Sequence, residues 1–430
     1  MITVVLIAVM TFVFVFPALE ELRKPKFVSL SLLLESGRDF NELETWLKDV
    51  NSTVPFSNWT FVLVGKTAVD DYLNNQTRLN LLRSFGRLIP ALSHFLVSLD
   101  PQVRKEECDR EISLWIDQTG SPPKGFFHFM PDTYTVNYLE SKNVTYVQGY
   151  CFDQYAIDYM SMRGAWQMPY YANPLHVNMP NTLSAKGVVI FPHVTWDWVS
   201  SFTVDHQLNT HPLNVYGYMD KNETLATEYI YKLTDNTLKS QHPFGFVSVQ
   251  AEWDWILKYD TNGMVKEYIK TLLGTRQYKF WSYEDVANWF RENFDYTPDY
   301  RLTFVSPYNS EKIEWYYCKE FRVARLDGSE IVSYVDYTEQ TEDKFLTTSA
   351  SVNYSKPASP TNCADNSLTF KIDALGSAPN RHPITTQKLA YTGELSEFRK
   401  HHDGSSVIEP SGLPYHRFPS VSQVSNRCSV

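Results

Sequence analysis

The sequence predicts an α/β fold: a (β/α) barrel of about seven parallel strands, followed by a small antiparallel β module. Three observations predict it. From residue 27 to residue 298, short apolar runs alternate with amphipathic helical patterns, the order that βαβ units take. Several of those runs end in a carboxylate or an imidazole, and the carboxyl ends of parallel strands are where α/β enzymes carry their chemistry. After Pro298 the apolar period shortens to two, with turn signals between the runs, as in antiparallel strands.

Taken in order, residues 27–34 read as a strand ending at Glu35, and residues 41–50 as a short helix. Residues 59–64 are the second strand, followed by a helix over 68–88. Residues 94–99 read as the third strand, ending at Asp100, and 102–119 as a helix with Ile112, Trp115 and Ile116 on one face. Residues 125–130 form the fourth strand, stopped by Pro131, with Asp132 as N-cap of a helix over 134–141. Residues 145–150 form the fifth and lead into Cys151, Phe152 and Asp153.

The sixth and seventh strands, 187–191 and 244–249, carry the most information. The first runs into His193-Val-Thr-Trp196-Asp197-Trp198, the second into Glu252-Trp253-Asp254-Trp255. A helix over 266–273, a short extended piece at 279–281 and a helix over 286–294, opened by a capping box at Ser282 to Asp285, complete the pattern. Right-handed crossovers put every strand's carboxyl end on one face. Glu35, Asp100, Asp132, Asp153, His193, Asp197 and Glu252 are therefore expected to converge. Four period-two runs, 300–305, 312–318, 321–325 and 330–337, form the β module.

The expected organisation is a signal peptide or membrane anchor over 1–25, the barrel over 26–298, the β module over 299–356 and a partly disordered extension over 357–430. Residues 2–19 are almost wholly apolar, a length that fits a secretory segment or an anchor; a buried first strand and helix is the alternative. Sequons begin at Asn51, Asn58, Asn75, Asn143, Asn222 and Asn353. A secreted or membrane-anchored, cell-surface protein is the expectation. A net charge of −10 excludes nucleic acid as partner. The five cysteines form no CxxC pair, which excludes a zinc ribbon or thioredoxin site. Cys318 with Cys363 is one disulfide that the chain allows, and Cys151 is either a nucleophile or a small buried residue.

Aromatic residues make up 15% of the chain. Indole faces stack on sugar rings, and carboxylates and histidines handle protons. The catalytic candidates are Glu252, Asp197 and Asp153, with His193 assisting. The substrate-binding candidates are Trp196, Trp198, Trp253, Tyr170, Tyr171, Glu35 and Asp132. Tyr170 and Tyr171 belong to a Pro-rich loop, Met168-Pro-Tyr-Tyr171, that suits the wall of a cleft. Core packing and helix capping are the competing roles for the indoles and acids. No Gly-rich phosphate loop and no G-x-S-x-G elbow is present.

Residues 146–158, Met168-Pro-Tyr-Tyr171 and the stretch from His193 to Trp198 resemble an uncharacterised prokaryotic family associated with the glycoside hydrolase/deacetylase barrel superfamily. The resemblance spans residues 27–345. Trp281-Ser-Tyr-Glu-Asp-Val-Ala-Asn-Trp289 is similar to the last helix of deacetylase barrels. It implies a carbohydrate-active hydrolase, of glycosidase or deacetylase type, acting on an extracellular glycan or glycoconjugate; the alternative is a non-catalytic glycan-binding or cell-surface protein on a degenerate barrel. Polysaccharide deacetylases place an Asp-Asp pair after the first strand and a His-x3-His metal pair after the next. Here Glu35-Ser36-Gly37 stands in the first place and no His-x3-His occurs. No tightly held metal and no cofactor is expected; His206 and His211, five apart, are the nearest pair.

Overall fold

A computed structural model of the protein describes residues 24–93, 96, 99–128, 131–150, 167–177, 179–181, 186–200, 208–275, 277–319, 321–328, 330–336, 346–348 and 389–390. The apolar segment 2–19, Asp153, His206, Cys151 and most of the C-terminal extension lie outside the described residues. Among the described residues no helix is long and apolar enough to cross a membrane.

Strand β1 (Lys26–Leu34) is the centre of the first sheet. β9 (Gly245–Glu252) pairs along one side of it, from Lys26↔Gly245 to Leu33↔Glu252. The other side is shared by β10 (Lys279–Phe280), at Phe27 and Val28, and by β2 (Trp59–Leu63), from Ser31 onward. β3 (Gly86–Pro90) follows β2, and every pair in this sheet is parallel. The second sheet runs β4 (Gly125–Phe127), β5 (Tyr146–Tyr150), β7 (Val189–Pro192), all parallel, with β6 (Tyr170–Tyr171) antiparallel to β7.

The fold is thus mixed α/β with parallel sheets, but the described residues do not close into a barrel of seven paired strands. At one seam β3 ends at Pro90, and the sheets meet only through a parallel bridge between Ala91 and Phe127. At the other, β7 ends at Pro192, and Thr195 N donates to the Ser248 carbonyl on β9 at 3.1 Å. Proline has no N–H with which to continue a ladder.

Burial alternates in meaning along β1 and β9. Ser29 and Ser31 pair in register with Ser248 and Gln250, and residues paired in parallel register share a face. Gln148 of β5 donates to Ser31 Oγ at 2.7 Å, so this face looks across to the second sheet. Leu30, Leu32 and Leu34 then take the opposite face, where each is fully buried. Helices α1 (Phe40–Thr53) and α7 (Glu223–Ser240) lie on the outer side. Each such leucine withdrawn from water contributes about 2 kcal/mol.

The expected helix over 68–88 is two helices, α2 (Gly65–Leu73) and α3 (Gln76–Phe85). Asn75 separates them because its side chain accepts from Thr77 N and Arg78 N and so starts a new helix. The third strand of the sheet is 86–90, where α3 passes directly into β3 at Gly86; of the expected strand over 94–99 only Leu96 and Leu99 are among the described residues. A Cβ there would sit 2.1 Å from the Trp59 carbonyl oxygen, so the close approach requires glycine. Around Leu96 the chain turns instead, Leu96 N donating to Ser93 O, and Asp100 caps α4 (Pro101–Thr119) through Gln102 N. Asp132 caps α5 (Thr133–Ser141), and Ser282 caps α10 (Tyr283–Asn293), as the sequence pattern requires.

The remaining strands are antiparallel: β11 (Tyr300–Val305), β12 (Lys312–Tyr317), β13 (Phe321–Leu326) and β14 (Glu330–Asp336). β8 (Gln241–His242), from just before β9, adds to β11, and β15 (Leu389–Ala390) adds to β14. In β11 Tyr300, Leu302 and Phe304 are buried while Arg301, Thr303 and Val305 are exposed. Cys318 Sγ lies 3.4 Å from the Phe321 carbonyl; Cys363 lies outside the described residues.

Candidate functional site

Six of the acids and aromatics expected at the strand ends are packed inside the protein. Asp197 is fully buried and holds four hydrogen bonds. Val199 N and Ser200 N donate to Oδ1 at 3.0 and 2.9 Å, and Tyr229 OH of α7 and Ser306 Oγ donate to Oδ2 at 2.9 and 2.6 Å. Burial pushes its carboxyl up, and these bonds oppose the shift. Every acceptor site faces a protein donor, so Asp197 ties β7's exit to α7 and to the antiparallel sheet. Asp132 is likewise fully buried, paired with Arg104 at 2.6 Å while it caps α5. Trp196 and Trp198 are buried, Trp198 with its ring 6.0 Å from that of Trp315. Tyr170 and Tyr171 are buried in β6, their hydroxyls donating to Val177 O and Phe294 O at 3.0 and 2.8 Å. Rings enclosed this way offer no face to a sugar.

Glu35 behaves differently. It follows the last residue of β1, and β9 ends beside it. After Glu252 the chain turns at once into α8 (Trp253–Tyr259), so Trp253 and Trp255 do not share a face as an extended chain would have them. Trp253 turns inward onto Trp46, ring centroids 5.9 Å apart, and Asp254 turns toward Glu35. The Glu35 carboxyl is raised first by burial, then by the charge of Asp254 and by a side-chain hydrogen bond with Asp254. The residue is exposed, so its carboxyl is withdrawn from water only in part.

The loop that carries Glu35 is pinned. Gly37 N donates to Asp71 Oδ2 at 2.7 Å, Tyr72 OH donates to the Ser36 carbonyl at 3.1 Å, and Arg78 Nη1 donates to the Asp71 carbonyl at 3.2 Å. A Cβ on Gly37 would meet Arg78 Nη1 at 2.2 Å. Burial pushes the Tyr72 hydroxyl up; Asp71, Asp254 and Asp39 add to that and Arg78 opposes it. The same phenol thus senses the carboxylate of α8 and the charges of Asp71 on α2 and Arg78 on α3. Such over-determined loops hold a reacting group in place before substrate arrives.

Glu252 ends β9 half-buried, with no capping bond to α8, and its Cα pairs with Leu33, two residues before Glu35. His193, nearly buried, follows β7, and its carbonyl accepts from Ser248 Oγ at 2.7 Å. Glu35, Asp254 and Glu252 therefore sit at one end of the β1–β9 pair, while Asp197 is engaged elsewhere. Asp153 lies outside the described residues. Sequence reasoning missed Asp254 because no local pattern records that the chain turns helical at Trp253 beside β1, and it missed Asp71, Tyr72 and Arg78 because they sit inside a helical pattern. The exposed aromatics are also not the expected ones. Trp255 is 47% exposed and Tyr259 44%, their ring centroids 5.1 Å apart on α8, with Lys258 4.9 Å from the Tyr259 centroid.

Among the described residues no three histidine, cysteine or acidic side chains are grouped to hold a metal ion. At the place of the deacetylase metal pair, β2 is followed by Val64-Gly65-Lys66-Thr67, which supplies no imidazole. His211 is buried and held near pKa 4 by that burial, its Nδ1 accepting from Asn214 N at the start of α6 (Pro212–Tyr218). The donor set does not fit the zinc of those enzymes.

A family model described as a domain of unknown function with a solved structure (DUF3863) matches residues 111–316. A comparison with curated protein sequences gives no match. Among solved structures, the chain is similar to Puue allantoinase (13% identity, TM-score 0.41, 64% of this chain and 93% of that one). It is also similar to a GH57 branching enzyme of Thermococcus kodakaraensis (9%, 0.40, 63% and 71%). A third is a peptidoglycan deacetylase of Bacillus subtilis (9%, 0.31, 63% and 95%). At these scores the likeness carries no argument, and the functional reading rests on the residues.

Proposed function

We propose that the protein is a carbohydrate-active hydrolase whose reacting groups are Glu35 and Asp254, with Glu252 beside them. The observation that carries this is the placing of Glu35 and Asp254 at the same end of the β1–β9 pair, where burial and then the Asp254 carboxylate shift Glu35 toward its protonated form. One protonated and one ionised carboxyl group make an acid and a base in a single site.

Their closeness selects the reaction. Glycoside cleavage places its two carboxyl groups about 5 to 9.5 Å apart, on opposite sides of the bond. A pair close enough for one carboxylate to raise the other suits attack of one water on one carbonyl carbon, as in acid-protease dyads. The ionised carboxylate takes a proton from water, the water oxygen bonds to the carbonyl carbon, and Glu35 gives its proton to the carbonyl oxygen. Collapse re-forms the C=O bond, breaks the bond to the leaving amine or alcohol, and delivers a proton to it. The substrate class is an N- or O-acylated sugar, with Trp255 and Tyr259 offering exposed rings on the helix that carries Asp254. The test is acetate release from chitopentaose and acetylated xylo-oligosaccharides by the parent, Glu35→Gln and Asp254→Asn proteins. Release by the parent that both variants abolish supports the reading. Release that survives in both variants overturns it, and new reducing ends without acetate point to glycosidase action.

Export is part of the proposal. The apolar segment 2–19 and the exposed sequon residues Asn75, Asn143 and Asn222 support an extracellular glycan as substrate. A binding-only role on the same surface is favoured by the exposed Trp255–Tyr259 pair alone, and it predicts that Glu35→Gln leaves glycan affinity unchanged with no acetate formed by any variant.

A further inference from the structure

Between the two parallel sheets, directly beneath Glu252 and Glu35, lies a layer of polar side chains where a sheet interior ordinarily places aliphatic ones. Gln250 is two residues before Glu252 on the same face of β9, about 7 Å deeper. It pairs in register with Ser31 of β1. Gln148 reaches the same serine from the second sheet, its Nε2 donating to Ser31 Oγ at 2.7 Å. Ser29, one register step deeper, pairs with Ser248. Ser29 and Gln148 are fully buried, and Gln250 is 2% exposed. Yet Gln250 Oε1, Gln148 Oε1 and Ser29 Oγ have no hydrogen-bond partner among the described residues.

A buried polar atom left without a partner destabilises a fold by about 1–3 kcal/mol, so these three call for a partner from outside the chain. Two of the three are carbonyl oxygens, which only accept. What completes them must bring donors. An anion is excluded, because two carbonyl dipoles and the carboxyl groups above would repel it. A sugar hydroxyl brings a donor and fits the chemistry of the mouth.

We propose that Gln250 and Gln148 form the floor of the substrate site and select a polyhydroxylated ligand by accepting hydrogen bonds from its hydroxyl groups. The inference rests on the reading of Glu35 and Asp254 as the site, and adds the residues that discriminate a sugar from an apolar acyl compound. A site built to receive a hydroxyl rejects an analogue lacking it far more strongly than a packed apolar wall does. The floor also explains why polar residues persist in the core: they serve the bound state at the expense of the free protein's stability.

The experiment places Gln250→Met in a Glu35→Gln background, so that turnover does not consume the probe. Calorimetric titration with chitopentaose and with cellopentaose, and thermal melting without ligand, are measured for the background and the double variant. The expected result is roughly tenfold weaker binding with an unchanged Tm, or one raised by about 2 °C because an unpartnered polar group has been removed. Unchanged binding, or a lowered Tm whatever the binding, overturns the floor assignment and makes Gln250 a structural residue. Absence of binding in the Glu35→Gln background itself removes the site reading and the hydroxyl assignment together.

Discussion

Asp197 and Glu35 both lie past the end of a parallel strand, and the two have opposite fates. Asp197 is enclosed, and its oxygens receive two backbone amides and two hydroxyl groups from four different residues. Nothing is left over for a substrate. Glu35 stays at the surface, its loop fixed by backbone and phenol contacts, and its carboxyl faces another carboxyl. A saturated acid organises the fold; an acid paired with its own kind stores a proton that chemistry can use. Position at a strand end does not separate the two roles. The inventory of partners does.

Breaking Asp197 should have the largest effect. Asp197→Ala strands two hydroxyl donors and two amides in a dry interface, and is expected to lower stability by about 3 kcal/mol or more, seen as a fall in denaturant midpoint. An unchanged midpoint would remove the distinction drawn between the two acids. Glu35→Gln is expected to do the reverse: turnover on an acylated glycan falls roughly a hundredfold or more while the melting temperature holds. Asp254→Asn should match it, and the double variant should add little, because the two groups act as one unit.

The pH dependence sharpens the same contrast. Burial and Asp254 favour protonated Glu35, so the folded chain keeps that proton above the ordinary value of 4.5 at which the unfolded chain loses it. The folded state then binds more protons in the window just above 4.5, and stability falls as pH rises through that window. In Glu35→Gln this part of the fall is absent. Denaturation of parent and variant across the acid-to-neutral range should show the variant gaining on the parent with rising pH; parallel curves would contradict the shift. The smallest effect belongs to Trp255→Ala, which should weaken glycan binding by about 1 kcal/mol, roughly fivefold, without a change in melting temperature.

Much of the fold was legible in local pattern. The apolar runs of β1, β2, β5, β7 and β9, the caps at Asp132 and Ser282, and the period-two β11 to β14 all follow from side-chain periodicity and from which residues hold free helix amides. The third strand was not, because the direct passage from α3 to β3 rests on one close contact at Gly86 that no local pattern records. The closed barrel failed for a similar reason: its seams fall at Pro90 and Pro192, and whether strands pair across a seam is a tertiary matter. Of the candidate site, Glu35 and Glu252 were found from the strand ends. Asp254 required knowing that β9 lies beside β1, two strands far apart in sequence, and that the chain turns helical at Trp253. Trp196, Trp198 and Trp253 looked like sugar platforms because residue type was visible and burial was not.

The central claim is that Asp254 helps to hold Glu35 toward its protonated form. It is tested most directly by carbon-detected NMR titration of the Glu35 side-chain carboxyl in the parent protein and in Asp254→Ala. The account predicts a Glu35 pKa above 4.5 in the parent and a clear fall toward that ordinary value when Asp254 is removed. A Glu35 that titrates at its ordinary value in the parent, or that does not respond to the loss of Asp254, would contradict it.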